Sequence, residues 1–328
     1  MKKIIALTVD EDFHTLEVKK HLGRMGSRLI SLKREVYGKD WIFTVLNGKK
    51  NNEIVLETKK EVIPINKIGT IWNRRDFSYL AKEGKDPKTK YINTQKTIHV
   101  HGLIRYLGKI IPSMNDMEAN WLANTKLYQA YVAKKVGLLI PETFQGSSPK
   151  LADKFLKKNR GEICIKPLEA VDVQIPEKDT VLKHYTSKFK RRPLKELSSL
   201  KLCPVILQTF IDKDYEIRAT VVGNKVYAAS IDTSNASKDA KVDWRHYDWA
   251  NTPYYKIQLP KPISKKLIQM NKKLGLVYGA YDLIKSKNGK YYFLEVNPLG
   301  QWLWVEDLTG LQISKGIAEW LYKKSSKR

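Results

Sequence analysis

The sequence predicts an α/β protein that passes into an α+β one. Strand and helix patterns alternate early in the chain, antiparallel hairpins dominate late, and 328 residues suffice for two or three domains. Hydrophobic residues at 42% and charged residues at 29%, with 18 Gly and 13 Pro, exclude disordered, collagen-like and low-complexity classes.

Residues 3–9 form an apolar strand run that Asp10-Glu11-Asp12 closes, too short for the core of a secretion signal. A helical stretch over 13–25 and a strand at 28–33 open a β-α-β pattern. Runs 41–46 and 53–57, joined through Asn47-Gly48, predict a hairpin. A buried strand at 68–72 runs into Asn73-Arg74-Arg75, and a helix over 91–109 is broken at Ile111-Pro112-Ser113, so a first domain is expected over 1–112. Helical periodicity covers 118–136 until Gly137 and Pro141 stop it. A short helix at 151–158, a strand at 162–166 and a basic run at 183–201 lead to a strand at 205–209. Strands 215–222 and 225–231 flank Gly223-Asn224, an amphipathic helix covers 263–274, and a last hairpin pairs 278–285 with 290–297 before a terminal helix at 313–322. Units at 113–207 and 208–328 complete the expected division.

Sixty Lys+Arg against 34 Asp+Glu give a net charge of +26, which favours anionic partners: nucleic acid, an anionic membrane surface, nucleotides or an acidic peptide. Cys164 and Cys203 lie in apolar runs, which argues against a disulfide framework or cysteine metal cluster and fits a reducing, cytoplasmic compartment. No run approaches the ~18 apolar residues of a membrane span, so no membrane association is expected.

The last hairpin carries the chemistry. With residues 286–289 as a four-residue loop, Lys285 opposes Lys290 and Asp282 opposes Phe293. Period-2 alternation then puts Asp282, Glu295 and Asn297 on one face, with Tyr281, Leu283, Leu294 and Val296 on the other. Two carboxylates and an amide oxygen on an otherwise apolar ribbon suit a hard cation such as Mg²⁺ bridging to phosphate oxygens; an ordinary solvated strand face is the alternative. Lys166 ends a strand and Lys126 follows Asn124-Thr125 in the 118–136 helix, so either could meet phosphate or simply face solvent. Glu216 and Arg218 share a strand face, and Asp243-Trp244-Arg245 lies in a polar, aromatic stretch. Their forked guanidinium groups suit a carboxylate or phosphate, or internal ion pairs. A P-loop, a G-x-G-x-x-G fingerprint and a Ser/His/Asp triad are absent from the sequence, and His99-Val100-His101 has no third metal ligand.

Together these residues resemble an ATP-grasp ligase, which implies an N-terminal α/β domain plus two α+β subdomains enclosing an ATP cleft. In that likeness Lys126 and Lys166 are the nucleotide lysines, Gln208-Thr209-Phe210-Ile211 the adenine hinge and Glu216 the ribose contact. Asp282, Glu295 and Asn297 are the Mg²⁺ ligands. The nearer resemblance is to the graspetide (microviridin-type) peptide ligases. It rests on Lys213-Asp214-Tyr215-Glu216-Ile217-Arg218, Asp243-Trp244-Arg245, and the run 293–306 with its Asn297-Pro298-Leu299-Gly300-Gln301-Trp302-Leu303-Trp304 core. Trp72-Asn73-Arg74-Arg75 is similar to a Trp-x-Arg-Arg pattern in the first domain. Two departures stand out: no glycine-rich loop follows Lys166, where Glu169 and Asp172 lie instead, and Thr209 occupies a usually acidic hinge position.

The resemblance implies an ATP- and Mg²⁺-dependent enzyme. It would phosphorylate Asp or Glu side chains of an acidic, ribosomally made precursor peptide (leader plus core) and join them to Ser/Thr hydroxyls or Lys amines, releasing ADP and phosphate. Arg218 and Arg245 would be catalytic. Asp243 and the basic run Lys183, Lys188, Lys190, Arg191 and Arg192 would bind peptide, and the enzyme would be a homodimer. Two alternatives share the charge or the ATP residues. A glutamate-ligase-like enzyme acting on a protein tail has no need of Asp243-Trp244-Arg245. A nucleic-acid-binding protein should not place its aromatics at core-like spacing or lack a zinc-knuckle or RNA-binding signature.

Overall fold

The computed structural model describes residues 2–48, 52–75, 77, 86–159, 161–168, 172–175, 180–183, 185–189, 194–246 and 248–326, with backbone alone at 52, 172–175, 180–183 and 194–195. Buried apolar strands β1 (Lys3–Thr8) and β2 (Leu29–Lys33) flank helix α1 (Phe13–Arg24). A three-stranded hairpin sheet follows: β3 (Trp41–Asn47), β4 (Asn52–Thr58) and β5 (Val62–Pro64). Strand β6 (Ile68–Asn73), helix α2 (Pro87–Ile110) and β7 (Ser113–Met114) complete a parallel sheet of order β2-β1-β6-β7. Helix α2 begins four residues earlier than periodicity predicts, because Asp86 caps it by accepting from Thr89 N (2.9 Å) and Pro87 fits the first turn.

The single helix expected over 118–136 is two: α3 (Met117–Ala123) and α4 (Lys126–Lys135). Buried Gln129 holds the break open. Its Nε2 donates to Ala123 O and Val296 O, both at 2.8 Å, and its Oε1 accepts from Val296 N at 3.1 Å. Periodicity runs straight through Asn124-Thr125, so only the long-range partner reveals the interruption.

A central sheet of order β12-β9-β13-β8 comprises β8 (Thr143–Gly146), β9 (Ile163–Lys166), β12 (Ser187–Phe189) and β13 (Val205–Thr209), backed by α5 (Pro149–Lys158). A separate hairpin of β10 (Asp172–Ile175) and β11 (Thr180–Lys183) leads into the basic run. The third unit is a five-stranded antiparallel sheet, β16-β15-β14-β17-β18. Its members are β14 (Lys213–Val222), β15 (Lys225–Ile231), β16 (Tyr254–Ile257), β17 (Tyr278–Ser286) and β18 (Tyr291–Asn297), joined by α6 (Lys238–Val242) and α7 (Lys261–Lys273). Helices α8 (Leu303–Thr309) and α9 (Ile313–Ser326) close the chain.

Ile217, Ala219, Val221, Tyr281, Leu283, Phe293 and Val296 turn one face of the large sheet into a core shared with α4 and α7. The other face is split. Its Tyr278–Ala280 end packs with Trp302, α9 and the parallel sheet, while its other end stays open as a cleft toward the central sheet. Among the described residues no helix is long and apolar enough to cross a membrane.

Candidate active site

Three strands bring the chemistry into one row. Arg218 on β14 pairs directly with Asp282 on β17, and Asp282 pairs directly with Glu295 on β18. Asn297, opposite Ala280, lies two residues along on the same face. The predicted grouping therefore holds, but by a different register. The hairpin loop is three residues long, because Ser286 opposes Lys290 (N to O 2.9 Å) and Gly289 takes a left-handed φ of +79°. Strand pairing thus slips one place from the expected one, so that Leu283 rather than Asp282 opposes Phe293. A bulge at Leu294 then restores Glu295 to the face of Asp282. Phe293 consequently points into the core, and Leu294, expected on the core face, lines the cleft instead.

Arg218 is buried and donates through Nη1 to both Asp282 oxygens at 2.9 and 3.1 Å. Burial pushes the Asp282 carboxyl up; Arg218 offsets part of this, and the neighbouring Glu295 charge adds to it. Burial works against the Glu295 charge as well, yet the Lys126 ammonium paired with it, backed by Arg245 and Lys166, holds that carboxyl down to about 2. Lys126 stands at the first position of α4, where the helix break and the grip of Gln129 on Val296 aim it at the residue beside Val296.

Asp243 and Arg245 form a fork: Nε and Nη2 donate to the two carboxylate oxygens at 2.8 and 2.5 Å, and Asp243 also accepts from Thr186 N at 3.1 Å. Burial opposes the Asp243 charge, but Arg245 outweighs it and holds the carboxyl down at about 2. Trp244 between them stacks on Trp304 at 5.0 Å.

The hinge Gln208–Ile211 closes the cleft on the central-sheet side. Thr209 N and Phe210 N are already taken by the Glu142 and Glu162 carbonyls (2.9 and 2.8 Å), and Gln208 Nε2 donates to Thr143 Oγ1 at 2.9 Å. Buried Glu216 is paired with Lys213, a residue outside the predicted set; burial pushes the Glu216 carboxyl up, and Lys213 only partly restores it. A bulge at Asp214 puts these two, three apart in sequence, on one side of the strand, which simple alternation forbids.

Lys166, Gln208, Arg245, Leu294 and Glu295 line two adjoining cavities. One reaches Glu216 and Asp282; the other, of about 850 Å³, reaches Lys126 and Asn297. Every predicted ATP and metal residue and Arg245 thus border one continuous cleft, and Arg218 lies buried behind it against Asp282. A groove of about 1070 Å³ flanks it beyond Phe210 and Lys213, lined by Lys188, Lys238, Lys241 and Lys287 among others. Of the predicted peptide-binding residues, Lys188 pairs with Glu162 (2.7 Å) and lies 4.3 Å over the Phe210 ring. The Lys183 side chain and Lys190, Arg191 and Arg192 lie outside the described residues, as does Glu169. His99 Nε2 donates to Phe43 O (3.0 Å) and does not line the cleft.

Among the described residues no group of three His, Cys, Asp or Glu side chains surrounds a common centre. A cation here would rest on Asp282, Glu295, the Asn297 amide oxygen and ligand oxygens. That all-oxygen set suits Mg²⁺, and Lys126 and Arg218 already supply positive charge to the same two carboxylates.

Residues 189–321 match the model of the RimK-like ATP-grasp domain. The whole chain superposes on a Chryseobacterium gregarium RiPP-associated ATP-grasp ligase, solved with ADP and a leader and core peptide. The TM-score is 0.88 at 27% identity, covering 99% of this chain and 97% of that one. It also superposes on the macrocyclase MdnC of Microcystis aeruginosa MRC, bound to the precursor peptide MdnA (TM-score 0.83, 25% identity, 98% and 99% covered). A tetrahydromethanopterin:alpha-L-glutamate ligase of Methanococcus maripaludis is 23% identical over 308 residues, 86% of this chain and 94% of that protein. The protein is an ATP-grasp ligase. Within that class its fold is similar to the RiPP-associated peptide ligases over nearly the full chain.

Proposed function

We propose that this ligase activates Asp or Glu side chains of an acidic, ribosomally made precursor peptide with ATP and joins them to Ser/Thr hydroxyls or Lys amines of the same peptide. The observation that carries the reading is the Arg218–Asp282–Glu295 row facing Lys126, Lys166 and the Asp243–Arg245 fork across one cleft. The near-full-length likeness to ligases solved with leader and core peptides supports the choice of substrate.

In this reading the adenine edge rests on the hinge and takes a backbone donor at Ile211, since Thr209 and Phe210 N–H are occupied. Glu216, steadied by Lys213, meets the ribose. Lys126 and Lys166 hold phosphate oxygens. Asp282, Glu295 and Asn297 would hold Mg²⁺, which would neutralise phosphate charge and align the transfer. A peptide carboxylate, held by the donors of Arg245 that Asp243 does not occupy, attacks the γ-phosphorus as the bond to ADP breaks. The incoming hydroxyl or amine then attacks the acyl carbon and loses its proton, and phosphate leaves with one former carboxylate oxygen. Arg218 and Arg245 stabilise the charge that builds on the acyl oxygen.

The lysine-lined groove beside Phe210, Lys188 among its lining, would receive the acidic core; Lys183, Lys190, Arg191, Arg192 and Asp243 are proposed as further peptide contacts, and the +26 net charge would raise the encounter rate. The functional division 1–112, 113–207 and 208–328 belongs to the same proposal. So does a cytoplasmic setting, supported by two free thiols, Cys164 and Cys203. A homodimer is proposed from the resemblance, and sizing by light scattering tests it.

The direct test incubates the enzyme with ATP, Mg²⁺ and an acidic, Thr- or Lys-containing precursor peptide. One ADP should form for each bond, and the peptide should become one water lighter per bond. A heavier peptide would instead mark addition of a free amino acid, and an unchanged mass would reject peptide ligation.

A further inference from the structure

Two sequence motifs, Trp72-Asn73-Arg74-Arg75 and the Pro298-Leu299-Gly300-Gln301-Trp302 run that follows Asn297, are far apart in the chain and have no part in the steps above. They meet in the fold. Behind Asn297 the chain presents four consecutive carbonyls, and each is taken by a different side chain. Asn115 Nδ2 donates to Pro298 O (3.0 Å), Arg74 Nη1 to Leu299 O (2.9 Å), Tyr278 Oη to Gly300 O (2.8 Å) and Arg218 Nη2 to Gln301 O (3.2 Å). Asn297 Oδ1 accepts from Leu299 N at 2.9 Å, so the same segment orients the amide that faces the cleft.

The clamp is rigid on every side. Arg74 is 2% exposed, lies 4.8 Å over the Trp302 ring and has Nε 3.4 Å from Asp12. Asn115, with a left-handed φ of 56°, also accepts from Val277 N and Tyr278 N (2.7 and 2.9 Å), tying β7 of the first sheet to the start of β17. A Cβ at Gly300 would lie 2.6 Å from Ala280 Cβ and 3.0 Å from Arg218 Nη2, so only glycine lets the segment approach this closely. A loop that only connected two elements would not need four side-chain donors from four separate strands and strand ends.

We infer that Arg74 of the N-terminal unit and Asn115, just past β7, are positioning residues that set Asn297 and Arg218 at the cation end of the cleft by gripping the 298–301 carbonyls. The inference rests on the proposed metal role of Asn297. It makes the N-terminal unit part of the ATP site without touching ATP, and gives the Trp-x-Arg-Arg pattern a physical task.

Equilibrium nucleotide binding tests it without turnover. Wild type, Arg74→Met and Tyr278→Phe are titrated with ATP by calorimetry, once in EDTA and once in saturating Mg²⁺. Affinity in EDTA should stay within about twofold of wild type. The tightening produced by Mg²⁺ should shrink about tenfold in Arg74→Met and about threefold in Tyr278→Phe. Tyr278→Phe removes one hydroxyl from an otherwise intact ring, so it decides the matter if Arg74→Met fails to fold. Mg²⁺ tightening equal to wild type in a folded variant overturns the inference, as does an equal loss in EDTA and Mg²⁺, which marks general damage. A wild type that binds ATP equally in both media overturns the metal reading itself, and this inference with it.

Discussion

Two buried charged clusters in this molecule are made of nearly the same ingredients and have opposite fates. In the first sheet, Asp12 accepts from Thr8 and Thr15 hydroxyls (2.8 and 3.1 Å) and faces Arg74 and Arg75, each with Nε at 3.4 Å, while His14 packs edge-on against Trp302 at 4.4 Å. At the large sheet, Asp282 and Glu295, with Lys126 from α4, line an open cleft, and buried Arg218 backs Asp282. The first cluster is sealed beneath Trp302 and the 298–301 segment; the second opens onto space enough for a nucleotide. Buried charge alone therefore does not mark a ligand site. What separates the two is access to a cavity, together with two carboxylates set side by side whose charge a cation can share.

That contrast predicts different kinds of damage. Replacing Glu295 with Gln should cut peptide-dependent ADP release at least about 1000-fold with little loss of thermal stability, because the cleft loses a phosphate-side anion rather than a core contact. ADP release near the wild-type rate would remove Glu295 from the site. Arg218→Lys keeps the charge but not the fork. It should lower turnover about 100-fold, measured as ADP per enzyme at saturating peptide.

In the sealed cluster the loss should appear as stability. Asp12→Ala strands Arg74 without its carboxylate and should cost about 3 kcal/mol in urea unfolding; an unchanged midpoint would mean the pair contributes nothing. His14 sharpens the point. Burial, with Arg74 beside it, lowers its imidazole to about 3. As pH falls below the ordinary histidine range the unfolded chain takes up the proton first, so stability present above about 6.5 is lost toward 3. Between pH 7.5 and 5 this amounts to about 2 kcal/mol, and His14→Gln should flatten that part of the profile. The smallest effect is that of salt: raising ionic strength should raise peptide KM more than it weakens ATP affinity, because the groove lysines lie at the surface while the Lys126–Glu295 and Arg218–Asp282 pairs are part-buried.

Much of the second cluster was legible in the sequence and almost none of the first. Strands β13, β14, β15, β17 and β18 follow apolar runs bounded by turn residues, so the pairing of Glu216 with Arg218 and of Asp282 with Glu295 and Asn297 came through alternation. The register did not. A three-residue loop ending in Gly289 moved it one way and the Leu294 bulge moved it back, and bulges answer to neighbours that local patterning does not contain. Lys213 escaped for the same reason, through the bulge at Asp214. The break that aims Lys126 at Glu295 depends on Gln129 reaching Val296, 167 residues away. Asp12, His14, Arg74 and Trp302 lie on separate elements, and only tertiary packing unites them.

The claim beneath all of this is that ATP activates a carboxylate of the peptide. Peptide whose Glu and Asp side chains carry ¹⁸O tests it most directly. With enzyme, ATP and Mg²⁺, the account predicts that each phosphate released alongside a new bond carries one labelled oxygen from the peptide. Unlabelled phosphate accompanying bond formation would contradict it.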